Sequence, residues 1–111
     1  MTFTVRYTDQ AAADVFRNAQ WWAKHHSVDQ ALRWEATIEQ QILTLKEFPL
    51  KHALAPENAE FPYEIRQLLV GVGSRPSYRA VYTVVDDVVH VLAVHRAAQD
   101  RLTPDQIDFD P

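Results

Sequence analysis

Residues 77–96 read SYRAVYTVVDDVVHVLAVHR, and this stretch decides the fold. Two runs rich in β-branched and aromatic residues flank Asp86-Asp87, a pattern that predicts a β-hairpin with a two-residue turn. Counted outward from the turn, the predicted pairs are Val85 with Val88, Thr83 with His90, Val81 with Leu92 and Arg79 with Val94. Because side chains alternate along a strand, Arg79 and Arg96 then share one face, on a cross-strand diagonal of roughly 7–8 Å.

A third strand is predicted before this hairpin. Residues 63–70 are equally rich in apolar and aromatic side chains, and residues 71–76, which hold both glycines of the chain, separate them from Ser77. The sequence therefore predicts an antiparallel meander over residues 63–70, 77–85 and 88–96. Residues 2–7 alternate in the same way and predict a strand at the N-terminus.

Two helices are predicted between the first strand and the meander. Asp9 offers an N-cap for a helix that runs to about His26, and its apolar stripe is Ala12, Val15, Phe16, Ala19, Trp22 and Ala23. Ser27 and Gln30 match a capping box that starts a second helix, which we expect to end near Phe48-Pro49. Its main stripe is Ala31, Trp34, Ile38, Ile42 and Leu45, and a second stripe of Leu32, Ala36 and Leu43 predicts a second apolar neighbour.

These elements predict one α+β domain over residues 1–111, with an N-terminal strand, an αα-hairpin and a three-stranded meander that carries the helices on one face. Residues 49–62 hold three prolines and no period, which is typical of a long loop. Residues 102–111 contain Thr103-Pro104, a start signal for a short helical turn, and an acidic end that we expect to be frayed.

Composition and charge exclude several classes of function. Without cysteine the chain has no disulfide or thiolate metal site, which fits a reducing, cytoplasmic compartment. A net charge of −4 disfavours non-specific nucleic-acid binding, and two glycines are too few for a glycine-rich phosphate loop, so we expect no cofactor. His25 and His26 diverge on their helix, so we expect no metal. Neither a signal-peptide pattern nor an apolar run of membrane-spanning length is present, so we expect no membrane association.

The two faces of the predicted sheet differ in character. The apolar face, expected to pack on the helices, carries Ile65, Leu69, Tyr78, Ala80, Tyr82, Val84, Val89, Val91 and Ala93. The other face carries Arg66, Arg79 and Arg96 together with Val81, Leu92 and Val94. Arginine offers bidentate donors to phosphate or carboxylate, so this face predicts an anion site or a partner-binding surface. Trp21 points away from its helix's apolar stripe, which indicates a partner contact or packing against the next helix.

The order and spacing of the motifs resemble a known family. Phe48-Pro49 closes the second helix, Tyr63-Glu64-Ile65-Arg66-Gln67-Leu68 opens the sheet, and Tyr78-Arg79-Ala80-Val81-Tyr82 and Val94-His95-Arg96 follow. Over nearly the whole chain this pattern is similar to the RelE/ParE superfamily of bacterial toxins. The resemblance implies the toxin of a type II toxin–antitoxin module, with functions in growth inhibition and plasmid stabilisation. It also implies a cognate antitoxin that covers the functional face.

The resemblance leaves two targets open. RelE-like members cleave messenger RNA in the ribosome, and in that pattern Arg66, Arg79 and Arg96 would stabilise the charge on a phosphorane. ParE-like members inhibit DNA gyrase and lack the nuclease residues. This sequence has Glu64 where a second basic residue is expected and Leu102 where a late tyrosine is expected. His95, on the apolar face, is interpreted as structural rather than catalytic, and His90 as solvated.

The missing groups and the acidic balance favour a ParE-like, non-nuclease toxin that acts on DNA gyrase. The first alternative is a metal-independent, ribosome-dependent endoribonuclease. The second is a degenerate member that only binds its antitoxin. In the non-nuclease case, the three arginines would recognise the target or the antitoxin.

Overall fold

The structure is a computed structural model that describes residues 2–98 and 101–111. Its main elements are β1 (Thr4–Tyr7), α1 (Asp9–His25), α2 (Val28–Leu43), β2 (Arg66–Val70), β3 (Tyr78–Val85) and β4 (Val88–Arg96). The two helices form a hairpin on one face of the sheet, which confirms the predicted α+β class. Within the described residues, no helix combines the length and the apolar character needed to cross a membrane.

The sheet has the order β1-β4-β3-β2. The predicted antiparallel meander is confirmed in β2, β3 and β4. β1 adds to the outer edge of β4 in parallel orientation, so the whole sheet is mixed. β2 begins at Arg66 rather than at Tyr63, because the chain before Arg66 leaves the sheet to form the loop over it.

Side-chain caps set the starts of both helices. The N-cap of α1 is Thr8, one residue before the predicted Asp9, and its hydroxyl accepts from the backbone N–H of Ala11 at 3.1 Å. Ser27 caps α2 as predicted, accepting from the N–H of Gln30 at 3.1 Å. α2 ends at Leu43 in a short 3₁₀ turn, earlier than predicted. Phe48 then adopts a left-handed φ of 52° that redirects the chain into Pro49.

A β-bulge in β4 changes the predicted hairpin register. Thr83 pairs with His90 as expected, but Val81 pairs with Ala93 and Arg79 with His95. Leu92 is the extra residue, because a bulge places two residues opposite one. Leu92 and Ala93 both lie on the face of the sheet away from the helices, so the alternation of β4 is reversed from Ala93 to Arg96.

The described residues form two apolar clusters, one on each face of the sheet. The inner cluster lies between the sheet and the helices and includes Trp34, Ile38, Ile42, Tyr82 and Val94. The outer cluster lies under residues 53–65 and 101–111 and consists of Ala55, Phe61, Ile65, Val81, Leu92, Ala93, Leu102 and Ile107. Ile65 and Ala93 were predicted on the inner face, and Leu69, predicted there too, is exposed on the outer face opposite Arg79.

The C-terminal segment is packed, so the prediction that residues 102–111 fray is wrong. Leu102 and Ile107 are buried in the outer cluster, and Phe109 stacks near His90 with 4.8 Å between ring centroids. Thr103 and Gln106 form a capping box around the short turn. His90 is half-buried rather than solvated, and its burial, together with the charge of Arg6, lowers its pKa.

Candidate functional site

The three predicted site arginines do not share a face. Arg66 pairs with Tyr82 and Arg96 pairs with Tyr78, and both tyrosines belong to the inner cluster. Arg79 pairs with Leu69 and His95 and points to the outer face. The bulge at Leu92 turns Arg96 to the helix side of the sheet. The observed register of β2 places Arg66 on the same side. The predicted convergence of these arginines is therefore wrong.

Arg79 is buried in an ion pair with Glu57, a residue of the loop that covers the outer face. Its Nη1 and Nη2 donate to the two carboxylate oxygens of Glu57 at 2.7 and 2.6 Å. Nη1 also donates to Gln67 Oε1 at 3.1 Å, and the backbone N–H of Leu102 donates to Glu57 Oε2 at 2.8 Å. We call these four residues the Glu57–Arg79 clasp, because they join the loop, the sheet and the C-terminal segment.

Electrostatics keeps this clasp charged. The hydrogen bonds from Arg79 lower the pKa of Glu57 more than burial raises it, and the N–H of Leu102 lowers it further, to about 2. Glu57 is therefore ionised at neutral pH, and both of its carboxylate oxygens accept from Arg79. An external phosphate could reach Arg79 only by displacing Glu57, so the clasp is a structural ion pair in this conformation.

The predicted partner-binding residues of the sheet are buried. Val81 and Leu92 lie in the outer cluster beneath the loop and the C-terminal segment, and Val94 lies in the inner cluster. The prediction of an open amphipathic face is therefore wrong. Alternation along the strands cannot reveal such a cover, because the covering segments have no period of their own.

Arg66 fastens the loop to the sheet edge. Its Nη1 donates to the carbonyl of His52 at 2.5 Å, and its Nη2 donates to Glu64 at 2.8 Å. The loop also pairs with β2 through an isolated antiparallel β-bridge between Leu54 and Arg66. Glu64, which departs from the basic residue expected there, is thus the ion-pair partner of Arg66.

Arg96 and Trp21, both predicted site residues, meet on the helix side of the sheet. The Arg96 guanidinium carbon lies 4.4 Å from the centroid of the Trp21 ring and 5.8 Å from that of Tyr78. Trp21 is 37% exposed, and its ring also contacts Trp22 and His25. The Arg96 guanidinium thus lies within cation–π distance of both rings.

Asp14, which the sequence patterns did not single out, hydrogen-bonds to the edge of β4 beyond the point where β1 ends. Its buried carboxylate accepts from the backbone N–H of Val94 at 3.0 Å, from His95 Nε2 at 3.2 Å, and from Arg17. Burial raises the pKa of Asp14, but these hydrogen bonds outweigh burial and lower it overall. The contact of His95 with Asp14 agrees with its interpretation as a structural residue.

An apolar groove opens between the helices and β1. It has a volume of about 500 Å³ and is lined by Val5, Tyr7, Ala12, Val15, Phe16, Glu35, Glu39 and Leu43. Phe16 is 60% exposed and Leu43 is 51% exposed. Burial, and to a lesser extent Glu39, raises the pKa of Tyr7 to about 12. Leu32, Ala36 and Leu43, the second stripe of α2, are all exposed, so no second apolar element among the described residues buries this stripe, contrary to the prediction.

No group of three or more histidine, aspartate or glutamate side chains in residues 2–98 and 101–111 is arranged to hold a metal ion. Among the described residues, the groove and the neighbourhood of Trp21 and Arg96 are both accessible to a partner.

A solved toxin–antitoxin structure shares this architecture. Among solved structures, the chromosomal ParDE toxin–antitoxin system from P. aeruginosa superposes with a TM-score of 0.71 at 22% identity, over 86% of this chain and 96% of that chain. A double arginine-to-alanine mutant of the E. coli toxin RelE in the free state gives a TM-score of 0.48 at 21% identity, over 88% and 86% of the two chains. No curated protein sequence matches significantly. The family model described as the ParE toxin of the type II toxin–antitoxin system parDE matches residues 5–101, and the chain therefore belongs to the ParE toxin family.

Proposed function

We propose that this toxin inhibits growth by binding DNA gyrase without cutting RNA, and that a cognate antitoxin neutralises it. The observation that carries the proposal is the separation of the three arginines. Stabilising a phosphorane requires cationic donors that converge on one phosphate. Arg79 is paired with Glu57 on the outer face. On the other face, Arg66 is bonded to His52 and Glu64, and Arg96 stacks on Trp21.

The positions of two histidines, His90 and His95, support the same mode of action. General acid–base catalysis needs a titratable side chain within hydrogen-bond reach of the reacting hydroxyl. His95 is engaged with Asp14, and His90 is packed against Phe109, away from Arg66 and Arg96. Binding to a target protein is therefore the activity that fits these side chains best.

Two assays on the same purified toxin test the proposal. We expect inhibition of plasmid supercoiling by gyrase and, after induction in cells, no cleavage within codons in primer-extension analysis of translated messenger RNA. Codon-specific cuts without an effect on supercoiling would overturn the proposal in favour of the endoribonuclease. Neither effect, together with normal growth, would indicate a member that only binds its antitoxin.

The groove supports the antitoxin part of the proposal. Its exposed Phe16 and Leu43 fit the apolar face of an amphipathic helix, and Glu35 and Glu39 fit basic residues beside that face. Leu43→Asp should weaken the antitoxin complex by about tenfold or more, because it places a charge in the groove. Leu32→Asp is the matched control, since Leu32 is 60% exposed on the same helix and does not line the groove. Equal antitoxin affinity of the two variants, measured by calorimetry, would contradict this assignment.

A further inference from the structure

Aromatic and cationic side chains are concentrated at the C-terminal end of α1. Trp21 and Trp22 pack edge to face, with ring centroids 5.6 Å apart. His25 stacks on Trp21 at 4.7 Å and His26 on Trp22 at 4.5 Å, while Arg96 covers the Trp21 ring. Trp22 Nε1 donates to the Tyr78 hydroxyl at 3.1 Å, which fixes the cluster to β3.

A small cleft continues this cluster toward α2. It has a volume of about 210 Å³ and is lined by Trp22, Gln30, Arg33, Trp34 and Val72. Arg33 is exposed on α2, and no carboxylate within the described part of the chain lies in ion-pairing distance of it. We call Trp21, Trp22, His25, His26, Arg33 and Arg96 the Trp–Arg surface.

The chemistry of the Trp–Arg surface differs from that of the chain as a whole. The chain carries a net charge of −4, yet two arginines frame this aromatic patch. Tryptophan and arginine are the residues most enriched at the energetic centres of protein interfaces. Trp22, tied to Tyr78, is held in place before a partner binds, which reduces the entropy that binding would otherwise cost.

We propose that the Trp–Arg surface is the part of the toxin that contacts gyrase, and that it engages an acidic segment of that protein. This inference rests on the proposed function. Arg33 supplies positive charge for an acidic segment, and Trp22 in the same cleft, together with the adjoining Trp21, supplies apolar contact area. The occupant is a protein rather than nucleic acid, because the net negative charge of the chain opposes binding to a phosphate backbone.

The experiment measures the binding of the toxin to DNA-free gyrase holoenzyme by surface plasmon resonance, and the inhibition of supercoiling in parallel. Trp21→Ala and Arg33→Ala should each weaken binding about tenfold and raise the half-inhibitory concentration to match. Arg101→Ala is the control, because Arg101 is an exposed arginine at the outer face, paired with Glu60 at 3.5 Å; it should change binding less than about twofold. Raising the salt concentration should weaken binding of the native toxin.

Each outcome separates this inference from the proposed function. Native toxin that fails to inhibit supercoiling overturns the proposed function. Inhibition by Trp21→Ala and Arg33→Ala equal to that of the native toxin overturns the Trp–Arg surface and leaves gyrase as the target. Loss of antitoxin affinity in the same variants, with gyrase binding unchanged, assigns the surface to the antitoxin and also overturns the inference. Arg33→Ala keeps the test valid if Trp21→Ala is unstable, since alanine is favourable at an exposed helical position.

Discussion

Arg79 on the outer face of the sheet and Arg96 on the helix side differ in their burial and in the groups that contact them. On the outer face, Arg79 is buried and satisfied by Glu57 and Gln67. On the helix side, Arg96 is exposed and rests on the ring of Trp21. An arginine on a strand is therefore no indication of a binding site until its partners are known. For Arg79 the partner comes from the loop, because Glu57 supplies a carboxylate that pairs with it.

The same contrast holds for the apolar residues. Val81 and Leu92 on the outer face are covered by residues 53–65 and 101–111, so this face belongs to the core. Phe16 and Leu43, on the helix side, remain exposed at the groove. The sheet face that alternation predicted to be functional is thus buried, whereas apolar side chains of both helices are exposed to solvent.

The largest effect should come from breaking the Glu57–Arg79 clasp. Glu57→Ala leaves Arg79 buried without a counter-ion and the N–H of Leu102 without an acceptor, which should lower the free energy of unfolding by about 3–5 kcal/mol. Glu60→Ala is the control, because Glu60 is exposed and its partner Arg101 is 3.5 Å away; it should cost less than about 1 kcal/mol. Urea denaturation measures both. Similar values for the two variants would mean that the outer face is not sealed by this ion pair.

Acid should open the same clasp. The pKa of Glu57 lies near 2 in the folded protein, below its ordinary value of 4.5, so its stabilisation is complete above the ordinary value and is lost as the pH falls toward 2. The difference corresponds to about 3 kcal/mol. The free energy of unfolding, measured from neutral pH downward, should fall more steeply for the native protein than for Glu57→Gln. Parallel curves would contradict the assigned pKa.

The sequence predicted those features that depend on local patterns. The Asp86-Asp87 turn, the cap at Ser27 and the bounds of β4 follow from composition and alternation within a few residues. The bulge at Leu92 is not local, because an extra residue in a strand is stabilised by what packs on each face. That single residue separates Arg96 from Arg79.

The parts of the site that could not be predicted depend on long-range packing. Glu57 lies in a proline-rich polar stretch, which reads as exposed loop until Arg79 is known to lie beneath it. Leu102 and Ile107 are single apolar residues without a period, so the tail reads as frayed. An apolar stripe such as that of Leu32 and Leu43 looks the same whether its partner is the chain's own core or another protein.

Shortening a buried anchor of the C-terminal segment gives a smaller effect. Leu102→Ala removes a side chain that is buried in the outer cluster and should cost about 2–3 kcal/mol. Leu69→Ala, a matched change on the same face where leucine is exposed, should cost less than about 1 kcal/mol. Thermal unfolding with a common baseline compares them. Equal losses would restore the frayed tail and leave Val81 and Leu92 accessible.

The smallest expected effect concerns the edge of β4 that brings Arg96 toward Trp21. Asp14→Ala leaves the buried N–H of Val94 without an acceptor and should cost about 1–2 kcal/mol, whereas Asp14→Asn keeps an acceptor and should cost about half as much. Arg17→Ala removes only an exposed partner of Asp14 and should be nearly neutral. Hydrogen exchange at the Val94 amide provides a local measurement, since its protection should fall in Asp14→Ala. Unchanged protection would show that β1 or the bulge, rather than α1, holds this edge, and that the position of Arg96 on the helix side does not depend on Asp14.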